Sequence, residues 1–277
     1  MSSLDFDWAT AIIRGFSYPT VIRKIIGYHL KALRFLYGRR PVSLDYWFLY
    51  RSLVQKVFRS PDPLFSNHSQ STGASLPIEE LADLLHDDVL GGWALDGETI
   101  SFLWTMMQRE RPKVIIECGA GVSTLVFAKS LGTNGLGSTD FTSVVSLEQN
   151  LGVKKALERR LERCGLQQGV TVLHSPVSKE GEYQLEPNEL REHLGSEKVD
   201  WVVIDGPAGP DGCRASTLAF LARFCRPGAR WFLDDAFRDG ELGALNKWNG
   251  LPGIVVDGIY PIGKGLAAGI VSDPGSQ

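Results

Sequence analysis

The stretch Val114-Ile115-Ile116-Glu117-Cys118-Gly119-Ala120-Gly121-Val122-Ser123-Thr124 decides the fold. A short aliphatic run of the length of a buried strand is closed by an acid. Two glycines then allow a tight turn and a close approach of backbone to a ligand, and a helix opens near Ser123. A strand running through glycines into a helix N-terminus begins a βαβ unit. The residues downstream repeat the alternation. Lys113–Glu117, Ser143–Glu148, Val170–His174, Val199–Asp205 and Ala229–Asp234 read as strands, and Ser123–Ser130, Leu151–Cys164, Cys213–Cys225 and Glu241–Trp248 as helices. Ile254–Asp257 and Leu266–Val271 read as closing strands joined by a Gly/Pro-containing turn. The pattern predicts an α/β fold with a doubly wound, mostly parallel sheet covered on both faces.

Strand ends carry the chemistry. Four predicted strands finish on acids, Glu117, Glu148, Asp205 and Asp234. Side chains at the carboxyl ends of parallel strands project into the crevice where such folds bind ligands. Beside Glu117, the helix N-terminus offers free N–H groups and the positive end of its dipole. A carboxylate next to an N–H cradle suits a ligand carrying both an ammonium and a carboxylate, an amino-acid moiety. A dinucleotide pyrophosphate would be repelled by the acid, and Thr124 stands where the third glycine of G-x-G-x-x-G would be. Glu148, closing the second strand, stands where an acid accepts hydrogen bonds from ribose hydroxyls. The Gly132–Phe141 insert accounts for its distance from the glycines.

Taken in order, Glu117-Cys-Gly-Ala-Gly-Val-Ser, Glu148 and Val199-Asp-Trp-Val-Val-Ile-Asp-Gly-Pro resemble the successive motifs of class I S-adenosylmethionine-dependent methyltransferases over roughly residues 90–272. The resemblance implies a Rossmann-like, seven-stranded sheet with the last strand antiparallel, and S-adenosyl-L-methionine as cofactor. By motif, Glu117, Gly119, Gly121 and the helix start at Ser123 would hold its methionine part and Glu148 its ribose. His174 and Ser175 would lie near adenine, and Asp205 beside the sulfonium methyl. Thr171-Val-Leu-His-Ser-Pro departs from the more usual acidic ending of the third strand. A finer resemblance, carried by Ile204-Asp-Gly-Pro, Arg226-Pro-Gly and Trp231-Phe-Leu-Asp-Asp, is to small-molecule O-methyltransferases of the catechol and macrolide-sugar types. In those, acids at the fourth and fifth strand ends hold magnesium. Asp205, Asp234 and Asp235 are the matching positions, and hard oxygen ligands suit Mg²⁺. Asp235 stands where the catechol type often has Asn. The alternative is that Asp235 caps a turn while Asp205 meets only cofactor. Candidate catalytic bases are Asp205 and Asp235, with His174 behind them. Arg238 reads as an anion contact or a surface ion pair, and Trp93 as a site-lining or lid residue.

Composition bounds the rest. The chain has 277 residues, 43% hydrophobic and 22% charged, values of an ordinary globular protein able to bury a core without metal or disulfide staples. Cys118, Cys164, Cys213 and Cys225 show neither C-x-x-C pairing nor nearby His at ligand spacing. That argues against structural zinc and for a reducing, cytoplasmic setting. No basic leader runs into an apolar segment, so a secretory signal is not expected. Residues 1–60 hold ten Lys/Arg against three Asp, whereas the remainder holds 19 basic and 29 acidic residues. The organisation expected is a helical, basic N-terminal extension and linker over residues 1–76, then the catalytic domain over 77–277. The extension reads as a helical cap on the domain or a second subunit, or as a peripheral contact with an anionic membrane surface. No nucleic-acid motif accompanies its charge, and Tyr46–Tyr50 suits a partner surface such as a second copy. His29, His68, His86 and His193 read as loop or surface residues. The reading is an enzyme with a small-molecule methyl acceptor. A nicotinamide-dependent oxidoreductase and a non-catalytic scaffold are the alternatives.

Overall fold

The computed structural model describes residues 18–37, 40–47, 49–50, 95–133, 143–184 and 186–273. The 60–76 linker, the helix read after Pro77, Trp93, His68, His86 and most of the Gly132–Phe141 insert lie outside these residues. Helix α1 spans Tyr18–Tyr37 and α2 spans Gly97–Glu110. Strand and helix then alternate: β1 (Val114–Cys118), α3 (Val122–Thr133), β2 (Ser143–Glu148), α4 (Leu151–Arg163), β3 (Val170–His174), α5 (Pro187–Leu194) and β4 (Val199–Ile204). They are followed by α6 (Thr217–Leu221), β5 (Cys225–Leu233), α7 (Asp239–Trp248), β6 (Ile254–Tyr260) and β7 (Leu266–Val271). The strands form one sheet in the order β3-β2-β1-β4-β5-β7-β6, with β7 antiparallel to both neighbours and β1 to β5 parallel. This is the Rossmann-like methyltransferase architecture that the motifs imply.

Alternation along the strands builds two cores. Ile115, Val144, Trp201, Val203 and Phe232 face α2 and α3 with Ile100, Leu103, Met107 and Phe127. Their neighbours Ile116, Val145, Val202, Ile204, Trp231 and Leu233 join Leu218, Leu221, Leu245 and Trp248 on the other face. Both faces being dry, the strands read as near-continuous apolar runs. Helix starts follow local chemistry. Asp96 caps α2 by accepting from Thr99 N at 2.9 Å, and Asn150 caps α4 by accepting from Gly152 N at 2.8 Å.

Two elements depart from expectation. The helix read over Cys213–Cys225 is reduced to α6 and a single 3-10 turn, Ala222–Phe224, because the chain before Thr217 is drawn into turns around the buried Arg214. Cys225 belongs instead to β5, pairing with Val199 before a register irregularity that takes in Arg226-Pro-Gly. Helix α5 has a weak signal in sequence, since only Leu190 and Leu194 of its eight residues are buried.

The N-terminal segment is stitched to the sheet. Val42 N donates to Ile259 O at 2.9 Å and Ile259 N to Val42 O at 2.8 Å, a bridge on the outer side of β6. Gly258 makes this possible: its φ is +136, and a Cβ there would collide with the Val42 carbonyl. Leu33, Leu44 and Trp47 are buried in the main core, and Trp47 packs on Phe237 at 4.6 Å. His29, expected at the surface, is half-buried and stacked on Tyr50 at 4.4 Å. Of the basic side chains, Arg34 pairs with Glu98 at 2.8 Å, tying α1 to α2. Phe35, Leu36 and Tyr28 remain exposed. No helix among the described residues is long and apolar enough to cross a membrane.

Trp248 anchors α7. It is fully buried, stands edge-on to Trp231 at 5.4 Å, and donates from Nε1 to Ala215 O at 2.7 Å. Trp248→Ala should cost about 3–5 kcal/mol through the cavity and the orphaned carbonyl, read as a lower urea midpoint with an unchanged slope.

Candidate active site

The carboxyl ends of β1, β2, β4 and β5 converge because register and loop bonds draw them together. Cys118 O accepts from Asp205 N at 2.9 Å and Gly206 N at 2.7 Å, while Gly119 N donates to Leu147 O at 2.9 Å. Gly119 has φ +95, and its Cβ would meet Gly206 N at 3.0 Å, so this glycine serves the contact between the β1 and β4 loops. Gly121 differs, since a Cβ there would meet nothing within 4 Å. Among the described residues, nothing fills the space before the N-terminus of α3 at Gly121.

Glu117 is wholly buried beneath that opening. Its Oε2 accepts from Thr124 Oγ1 at 2.5 Å and Ser146 Oγ at 2.9 Å. Thr124 Oγ1 in turn accepts from Gly121 N at 3.0 Å. The threonine at the third-glycine position is therefore a relay from the loop amide to the buried acid. Among the described residues, Glu117 Oε1 has no hydrogen-bond partner. Burial pushes the carboxyl up to about 7, with the hydroxyls of Ser123, Thr124 and Ser146 partly offsetting it. Glu148 stands one loop away. Its Oε2 accepts from Ala120 N at 3.2 Å and its Oε1 from Asn150 N at 2.6 Å. Burial raises this acid too, against the opposing pull of those amides.

At the neighbouring edge, Ser175 is buried and its N donates to Glu148 O at 2.9 Å. His174 is exposed, lies 3.2 Å from Gln149 O, and lines a shallow groove of about 840 Å³ between α4, β3 and α5, outside the mouth. Gln149 clasps the β4 loop: Ala208 N donates to its Oε1 at 2.8 Å, and its Nε2 donates to Ala208 O at 3.0 Å. Tyr183 lies below, its hydroxyl donating to Leu147 O at 3.2 Å.

The third group is ionic. Asp205, Asp234 and Asp235 bring carboxylate oxygens within 4.8 Å of one another, so the acids matched by motif do converge. Arg214 is buried among them. It lies 3.7 Å from Asp205 Oδ1, 3.7 Å from Asp235 Oδ2 and 3.6 Å from Glu241 Oε1, and Nη1 donates to Asp234 O at 3.2 Å. Lys264 Nζ lies 3.0 Å from Asp235 Oδ1 and 3.3 Å from Asp234 Oδ2. Arg238, half-exposed, reaches Asp235 Oδ2 at 2.9 Å, so this residue is an ion-pair partner within the cluster. Asp235 takes a left-handed backbone, φ +59, to turn its side chain inward. Burial pushes Asp205 up to about 7, eased by Arg214, and raises Asp234 well above the ordinary carboxylate range.

Sequence reasoning missed Arg214, Lys264, Glu241, Gln149 and Tyr183. Arg214 and Lys264 come from turns, where no periodicity marks them. The flanking glycines of Gly263-Lys264-Gly265 were the one available signal, since they place a long basic side chain on a tight reversal.

A family model described as a methyltransferase domain matches residues 116–236, the stretch from β1 through the acids after β5. Over that stretch the chain is similar to this domain. Solved structures are similar in fold at low identity. The O-methyltransferase from Bacillus cereus in complex with SAH is 17% identical, covering 83% of this chain and 100% of its own, with TM-score 0.52. The O-methyltransferase TomG from Streptomyces achromogenes, in complex with SAM, is 14% identical, covering 84% and 100%, with TM-score 0.51. An SAH-bound methyltransferase from Podospora anserina is 16% identical, covering 84% and 98%, with TM-score 0.51. No curated protein matches the chain.

Glu117 sets a pH signature for the protein. Between the ordinary 4.5 and about 7, the folded chain keeps a proton that the unfolded chain has released. Stability of the ligand-free protein therefore falls as pH rises through that window. Urea unfolding at about pH 5 and about pH 8 should show this loss, and Glu117→Gln should reduce it.

Proposed function

We propose that the chain is an S-adenosylmethionine-dependent O-methyltransferase acting on a small-molecule or sugar hydroxyl. The observation that carries the reading is the unpartnered, buried Oε1 of Glu117 beneath an open helix N-terminus. An unpaired buried acceptor costs free energy unless a donor arrives, and a ligand ammonium is such a donor. The residues present fit the cofactor. Glu117 would receive the ammonium, the N-terminus of α3 near Gly121 and Ser123 the carboxylate, and Glu148 the ribose hydroxyls through lone pairs left over by the loop amides. Ser175 borders the adenine side, and the exposed His174 would serve there only as a rim contact.

When bound, the cofactor supplies an electrophilic methyl on a sulfonium sulfur. The protein's share is alignment, exclusion of water and proton removal. Asp205 is the base favoured by its surroundings. Its side chain reaches the mouth at 10% exposure, and its ordinary acidity is weakened to about 7, near a working pH. Asp235 carries both oxygens in ion pairs, with Lys264 on Oδ1 and Arg238 on Oδ2. Its part is to hold those cations. Asp205 would take the proton of the acceptor hydroxyl, while the cofactor, held by Glu117, the α3 N-terminus and Glu148, would supply the methyl group.

Calorimetry with S-adenosylhomocysteine tests the reading. Binding is expected for the wild type. Gly121→Asp should remove it while leaving the melting temperature within a few degrees, since its Cβ meets nothing within 4 Å. NADH binding in place of S-adenosylhomocysteine would overturn the assignment. Asp205→Asn should slow S-adenosylhomocysteine release in an extract-supplemented assay by about 10²-fold or more, the scale of losing a general base.

A further inference from the structure

The resemblance to catechol-type O-methyltransferases implies a magnesium ion among acids at the ends of the fourth and fifth strands, and Asp205, Asp234 and Asp235 do gather there. The surrounding donor set does not fit a dication. Both oxygens of Asp235 are held by cations, Lys264 Nζ at 3.0 Å and Arg238 at 2.9 Å. Lys264 also lies 3.3 Å from Asp234 Oδ2, and Arg214 lies 3.7 Å from both Asp205 and Asp235. Among the described residues Asp234 makes no side-chain hydrogen bond, and it is buried, so its contact with Lys264 is ionic. Four acids, with Glu241 included, thus face three fixed cations. A Mg²⁺ ion among them would sit at contact distance from two like charges, and octahedral coordination would need lone pairs already facing those cations.

Lys264 is delivered to this place by a built turn. Its own N donates to Asp96 Oδ2 at 3.2 Å, and Gly263 N donates to Glu98 Oε2 at 2.9 Å, pinning the β6–β7 reversal to the start of α2. Gly265 O accepts from Ala236 N at 2.9 Å, fixing the other side of the turn to the chain after β5. Gly263 and Gly265 take φ +52 and +89, and a Cβ on Gly263 would collide with the Asp96 carboxylate.

We propose that the Lys264 ammonium takes the place of the divalent cation, so that methyl transfer by this chain is metal-independent. Lys264 is then a positioning residue: it holds Asp234 and Asp235 together as a fixed charge of one unit where the resemblance implies a dication. This deepens the methyltransferase reading and rests on it.

Manganese titration followed by electron paramagnetic resonance tests the proposal without a substrate. The wild type should leave the free-ion signal undiminished up to about 1 mM Mn²⁺, and Lys264→Met, which strips the cation from the acids, should bind one ion at least about tenfold more tightly than wild type. One ion bound stoichiometrically by the wild type and lost in Asp235→Asn would overturn the proposal. So would a Lys264→Met variant that is folded by circular dichroism yet as inert to Mn²⁺ as wild type. If Lys264→Met fails to fold, the wild-type titration alone decides. Calorimetry with S-adenosylhomocysteine on the same preparation tells a failed functional reading, with no binding of that ligand, from a failed metal substitution.

Discussion

Burying carboxylates at the open end of a parallel sheet is the constraint around which the mouth of this protein is built. Each charge must be compensated locally or be protonated. Glu117 is met by the hydroxyls of Ser123, Thr124 and Ser146, Glu148 by two loop amides, Asp205 by Arg214, and Asp235 by Lys264 and Arg238. The four solutions differ in kind, and the differences divide the labour. Hydroxyl and amide donors leave lone pairs free on the β1 and β2 acids, which suits reversible binding of a small cation and a pair of hydroxyls. Full ion pairing on the β5 side leaves little to bind, which suits a fixed electrostatic wall.

That wall is assembled from distant chain segments. Arg214 comes from the turns before α6, Lys264 from the β6–β7 reversal, Glu241 from α7 and Arg238 from its N-terminal flank. Deleting any one of them unbalances the rest, since the nearby low-dielectric interior amplifies a lone charge. The cluster therefore joins the end of β4, the end of β5 and the antiparallel strand pair into one unit, and local packing and electrostatics at the mouth are inseparable.

Much of this was legible before any coordinates. The β1 run into Gly119 and Gly121, the alternation of strands with helices, and acids on four strand ends rest on period and chain order, which sequence displays directly. The ionic partners were not legible, because a lone Arg or Lys in a turn has no periodic signature and its meaning depends on contacts tens of residues away. The helix over Cys213–Cys225 misled for a related reason. Its apolar spacing is genuine, but burying the Arg214 guanidinium overrides helical propensity over its first turns. Gly119 and Gly121 look equivalent in sequence, yet the first is spent on packing against Gly206 and only the second faces open space.

The bridge between Val42 and Ile259 has a consequence for solution behaviour. β6 is the terminal strand of the sheet, and a terminal strand with free amides and carbonyls is a template for unwanted pairing between molecules. By occupying that flank, and by covering it with Trp47, the basic leading segment acts as a guard against edge-to-edge aggregation. Its positive charge then adds mutual repulsion between neighbouring copies at the margin where self-association would begin.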